Sequence, residues 1–297
     1  MYKVEEITAV KGHFLVLKKA DNTSESRISL EEGGRLQELL FKDVFLIKEQ
    51  LNFNYKDSYA SSILFPFASR IQEGKYSFKD EEYQFNLNET GKNALHGLVY
   101  NQKFELITKE ENTNFCSVTI AYKEINESAG FPYRYEIYAT YTLSENDLSL
   151  SLKIKNTDSK AYPFTLGWHP YFLSDDLSKS SLRFKSDKKI EFNESLITKK
   201  VIDHKTEEEF KIEHKQLDDC FILNSDIIEF NTPHYQIEIS TNKTENYLQL
   251  YTPKGFSVIA IEPMTGVSNS FNNKIGLQVL EPNKTYSITW NVKLKNN

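Results

Sequence analysis

Five positions carry side chains that interrupt otherwise apolar surroundings, and each can do chemistry. In "GFSVIAIEPMTG" (255–266), an almost unbroken apolar run ends in Glu262, followed by Pro263. A half-buried carboxyl has its pKa raised toward neutrality, which suits a general base. The alternative is a structural carboxylate paired to a buried arginine, with Arg70 as the candidate. In "TLGWHPYFL" (165–173), His169 faces away from Trp168 and Pro170. An imidazole held among stiff aromatic groups is either a hydrogen-bonded core histidine or an acid–base group working near pH 7. The proline lacks a backbone donor, so it argues for a strand end or edge.

His96 lies between Leu95 and Gly97, where glycine permits a turn or a close backbone approach. Arg70, in "ILFPFASRIQEGKY" (63–76), is either a surface ion-pairing residue or a planar donor fork for oxygen acceptors. Asp218 and Asp219, in "QLDDCFIL" (216–223), stand directly before an apolar strand. Paired aspartates there are turn formers, or one of them accepts from two ligand hydroxyls. The other histidines, His13, His204, His214 and His234, sit in charged or turn-like contexts. No close-spaced histidine pair suggests a metal site.

The elements that must position these groups read as strands. Alternation recurs in "KYSFKDEEYQFNL" (75–87), a hairpin turning at 79–82, and in "NFCSVTIAYKE" (114–124). It continues in 133–158, which forms two strands around 144–147, and in 234–252, which forms two more. The stretches 256–263 and 285–294 complete the set. Period-2 patterning with short polar turns predicts an all-β fold, a large antiparallel β-sandwich with almost no helix. The stretch "GGRLQELLF" (33–41) is open between a helical turn and a strand, and the charged run 203–216 reads as a solvated loop or edge hairpin. No linker or low-complexity tract divides residues 1–297, so a single domain is expected.

Composition narrows the function classes. The chain has 297 residues, 39% hydrophobic and 26% charged, which is the balance of a globular protein. Its 20 Phe and 17 Tyr lean toward sheet. The net charge is −6 and no basic patch occurs, so nucleic acid is not an expected partner. Glu5 and Glu6 stand where a signal peptide needs an apolar core, and no apolar stretch is long enough to span a membrane. Two cysteines, Cys116 and Cys220, make neither a disulfide framework nor a zinc site. A cytoplasmic location with no membrane partner is expected.

Taken together, the motifs resemble the aldose 1-epimerase (galactose mutarotase-like) family, in its compact branch. Arg70 and Gly74 in "SRIQEGKY", "LHG" at 95–97, "GWHPYF", Asp218 in "LDDCF" and "IEPMTGVSNSFN" (261–272) fall in the family's order. One departure is Ser69, where full-length galactose mutarotases usually have asparagine before the arginine. The resemblance implies an isomerase acting on a small-molecule monosaccharide, without cofactor or metal. It implies Glu262 as the base that takes the O1 proton and His169 as the acid that protonates the ring oxygen O5. His96 would be a further catalytic donor, and Arg70 and Asp218 would bind substrate hydroxyls. The reaction would interconvert the α and β anomers of a free hexose. The alternatives are a hexose-6-phosphate mutarotase-like enzyme, a non-catalytic carbohydrate-binding sandwich, and a glycoside hydrolase using Glu262 with Asp218. Only the last would need two carboxyl groups flanking one bond.

Overall fold

A computed structural model describes residues 1–10, 12–205, 208–244 and 246–295. Strands dominate, as the alternation requires. Tyr2–Ala9, Gly12–Lys19, Ser24–Ser29, Leu36–Phe41 and Val44–Ile47 form a five-stranded antiparallel meander. The stretch left open in the sequence is therefore a strand at Leu36–Phe41.

A nine-stranded sheet is built around Tyr135–Leu143, Asp147–Asn156 and Thr285–Leu294. An eight-stranded sheet runs through Asp218–Leu223, Tyr247–Tyr251, Val258–Met264 and Gly167–Trp168, with Tyr171–Leu173 also paired to Val258–Met264. The fold is the antiparallel β-sandwich expected from the sequence. Among the described residues, the two short α-helical turns are Tyr55–Ser58 and Ser270–Asn273.

Alternation decides which face of the eight-stranded sheet does what. Leu248, Leu250, Ile259, Ile261, Trp168 and Phe172 point into the main core, where they join Ile237, Ile288 and Trp290 of the nine-stranded sheet. Because successive side chains on a strand point to opposite faces, Gln249, Tyr251, Glu262, His169 and Tyr171 are directed to the other face. That face would be solvent in a simple sandwich. Here it is roofed by residues around 56–59, 69–70, 88–90 and 95–96.

Two local expectations are corrected and a third is met. The 75–87 hairpin turns on Lys79 and Asp80 alone, both at positive φ, and Glu81 is already paired. The charged run 203–216 contributes the end of Thr198–Asp203 and the short edge strand Phe210–Lys211, while residues 206 and 207 lie outside the described residues. Pro170 stands at a strand end, as its missing donor implied. It separates Gly167–Trp168 from Tyr171–Leu173, and the latter pairs with Val258–Met264 on one side. Its carbonyl accepts from Ile261 N–H at 3.2 Å, so its ring nitrogen replaces one donor of the ladder to the Glu262 strand.

Candidate active site

The sheet register itself puts His169 beside Glu262. Gly167 pairs with Met264 and Tyr171 pairs with Ala260. Three residues lie between these pairs on each strand, and the middle ones are His169 and Glu262. Cross-strand neighbours are the closest side chains in a sheet, and the imidazole Nε2 lies 3.4 Å from Glu262 Oε1. On the other side, Gln249 pairs directly with Glu262. One strand further, Asp218 pairs with Tyr251 and accepts from Gln249 Nε2 at 2.7 Å. Asp219 points to the opposite face and pairs with Lys189 at 2.5 Å.

His96 and Arg70 reach the same place from outside that sheet. Arg70–Gln72 and Asn93–Leu95 form a short ladder in which Arg70 pairs with Leu95. His96 follows in the left-handed region (φ 60°), and its N–H donates to Ser69 O at 2.8 Å. Gly97 is required next: it has φ 76°, and a Cβ there would sit 2.1 Å from Phe65 O. Glycine alone adopts this conformation at no steric cost and leaves room for the neighbouring chain. The turn thereby aims the His96 ring at His169, with centroids 5.0 Å apart, and at Tyr59, 4.9 Å away. Tyr171 stacks on the other side of His169 at 5.0 Å.

Arg70, His96, His169, Asp218 and Glu262 thus line one open cavity of about 430 Å³. That size is in the range of small-molecule sites, roughly 300–1,000 Å³. The cavity also takes Tyr59, Asn88, Glu89, Tyr171, Gln249 and Tyr251, none of which was singled out in the sequence. Gln249 had a signal, being the lone polar residue inside "YLQLY". Asn88 and Glu89 sit in a polar loop and had none.

The electrostatics remove one alternative and correct one expectation. Glu262 is 2% exposed, but Arg70 is not its ion-pair partner. Arg70 Nη2 binds Glu89 Oε1 at 2.7 Å, and its Nε donates to the same oxygen at 2.8 Å. Burial drives the Glu262 carboxyl well above its usual range; Asp218 adds to the rise and Arg70 opposes it. Burial also lowers both imidazoles, His169 to about 3 and His96 well below its ordinary value, with Arg70 adding to each decrease.

Both shifts favour the uncharged forms, so burial works against a standing imidazolium at His169 and a standing carboxylate at Glu262. Two groups this close titrate as a unit. Asp218 is raised by burial, against the pull of Arg70. Among the described residues, no group of three or more His, Cys, Asp and Glu is placed to hold a metal ion. No helix among them is long and apolar enough to cross a membrane.

Several known proteins are similar to this chain. YihR, an uncharacterized protein of Escherichia coli (strain K12), is 24% identical over 273 residues, covering 88% of this chain and 87% of that protein. The structure of a galactose mutarotase-like protein from Clostridium acetobutylicum superposes with a TM-score of 0.89 at 19% identity, covering 100% of this chain and 99% of that one. The galactose 1-epimerase from Lactobacillus acidophilus NCFM gives a TM-score of 0.82 at 16% identity, with 99% of each chain covered. At these identities the two solved structures bear on the fold. The sequence itself matches the aldose 1-epimerase family over residues 16–293, and the chain belongs to that family.

Proposed function

We propose that this protein is an aldose 1-epimerase that interconverts the α and β anomers of a free hexose. The observation that carries the reading is the buried Glu262–His169 contact, 3.4 Å long, in a cavity that also holds His96, Arg70 and Asp218. Mutarotation requires one proton to leave the O1 hydroxyl and one to arrive at O5. The C1–O5 bond then opens to the aldehyde, C1 rotates about the bond to C2, and closure gives the other anomer. No electrons are exchanged with another group, so the proton inventory of a neutral acid–base pair suffices.

A pair that holds one proton and one vacant basic site can supply both transfers without net uptake. In the protonation state that starts ring opening, Glu262 carries the charge and takes the O1 proton, while His169 gives its proton to O5. Burial disfavours that charged state, so sugar hydroxyls that hydrogen-bond to the carboxylate help to create it. The neutral His96 ring donates toward the oxygen on which charge develops. Arg70 and Asp218 hold ring hydroxyls, and Tyr59 and Tyr171 offer flat apolar faces. General acid and general base help contribute roughly 10²–10⁴-fold each.

Polarimetry or NMR of freshly dissolved α-anomers, run over a panel of aldoses and their 6-phosphates, tests the reading. Acceleration of a neutral hexose by wild type, and its loss in Glu262→Gln, is the expected result. A wild type that leaves every anomer at its spontaneous rate rejects it and favours a non-catalytic sugar-binding sandwich.

A further inference from the structure

We propose that Glu89 determines the charge preference of the site. By closing the Arg70 guanidinium in an ion pair, it makes the pocket accept uncharged aldoses and turn away aldoses bearing a phosphate or carboxylate. The proposal rests on the mutarotase reading for its substrates and extends it to a residue outside the acid–base pair.

The clamp is built at both ends. Glu89 Oε1 receives both Nε and Nη2 of Arg70, at 2.8 and 2.7 Å. Its Oε2 receives Asn93 Nδ2 at 2.9 Å, and Asn93 is 4% exposed. Asn93 Oδ1 in turn accepts the Glu73 N–H at 3.2 Å. The Glu89 N–H bonds Asn93 O at 3.2 Å, so the loop that carries Glu89 is tied to the Asn93–Leu95 strand. That strand is paired with the one bearing Arg70. The side chains of Arg70 and Glu89 are 17% and 23% exposed, so water screens the pair only in part.

A charge inventory of the lining gives the consequence. Its cations are Arg70 and Lys56, and its carboxylates are Asp57, Glu89, Asp218 and Glu262. Lys56 and Asp57 are exposed neighbours at the rim and offset each other. Burial favours the uncharged forms of Glu262 and His169, and Glu89 matches Arg70. Asp218 is left over, so a substrate anion meets a net negative pocket whose inner cation is already engaged. Arg70 is central to that inventory because its field reaches His96, His169, Asp218 and Glu262. Removing the Glu89 charge should therefore do two things. It should open the site to anions, and it should lower the alkaline limb of the pH profile, since an unmatched Arg70 makes Glu262 easier to ionise.

The test compares kcat/KM for an aldohexose and its 6-phosphate in wild type, Glu89→Gln, Glu89→Asp and Glu89→Gln combined with Arg70→Gln. Wild type should prefer the neutral sugar. Glu89→Gln keeps the hydrogen-bond acceptor and should raise the phosphate-to-neutral ratio at least tenfold. The double variant should lose that gain, and Glu89→Asp should retain the wild-type ratio even if kcat falls. A smaller change in Glu89→Gln, an equal rise in Glu89→Asp, or a wild type that prefers the phosphate overturns the proposal.

Calorimetric titration with inorganic phosphate reads the same claim without catalysis. Glu89→Gln should bind it at least tenfold more tightly than wild type, and equal binding overturns the proposal. If wild type moves no anomer but this binding gain appears, the mutarotase reading fails while the charge role of Glu89 stands. Should Glu89→Gln fail to fold, salt supplies the readout: raising ionic strength to about 0.5 M should raise the wild-type ratio, and an unchanged ratio overturns the proposal.

Discussion

Replacing His169 by Asn should flatten the loss of stability on acidification by a calculable amount. In the unfolded chain this imidazole protonates near 6.5, whereas burial lowers it to about 3 in the fold. Between those values the unfolded state binds a proton that the native state refuses, so stability falls as pH falls through this window. Each unit of pH inside the window is worth about 1.4 kcal/mol. From pH 8 to pH 4.5, His169 should therefore cost the wild type about 3 kcal/mol that the asparagine variant does not lose. The difference belongs to the Glu262–His169 pair, since the two titrate as a unit, and burial is the leading cause of both shifts. Urea unfolding followed by the fluorescence of the buried Trp168 and Trp290 reads both curves. The wild-type and variant stabilities should diverge steadily below pH 6.5. Curves that stay parallel to within about 0.5 kcal/mol would mean that the folded site accepts the proton, and the burial argument would be refuted.

Glu262→Gln should lower kcat at least roughly 10²-fold while raising stability. Its carboxyl binds a proton in the fold that the unfolded chain has released, so native stability falls as pH rises above the ordinary carboxylate range. The gain on substitution should grow as pH rises above the ordinary carboxylate range, read from the melting temperatures of the two proteins. The wild-type kcat/KM profile should show an acid limb well below 6.5 and an alkaline limb set by the Glu262–His169 pair; an acid limb at an ordinary histidine value contradicts the neutral resting state. Gly97→Ala should destabilise the protein by more than about 1–3 kcal/mol, because it combines a positive φ with a Cβ driven into Phe65 O. Its denaturation midpoint should fall without a change in slope, and kcat should fall too as His96 loses its aim.

The sequence by itself determined the layered β architecture, because a period of two is a local property that survives without knowledge of partners. It also exposed four of the site groups, since Glu262, His169, His96 and Arg70 each break an apolar context that burial would otherwise keep clean. Asp218 was less distinct, and only strand parity separated it from Asp219: one faces the cavity, the other Lys189. Tertiary structure alone decided who meets whom. His169 and Glu262 are far apart in the chain, and a single register shift would turn one of them to the opposite face. Tyr247–Tyr251 follows Gln236–Thr241 in sequence yet joins a different sheet, so adjacency along the chain did not imply pairing. Nothing in "NLNET" (86–90) announces that Glu89 closes on Arg70, because a polar loop gains its meaning only from the ladder beneath it. The protonation state of the pair was the least legible property of all. It follows from the summed desolvation by every neighbour in the packed site, and no residue type or spacing encodes that sum.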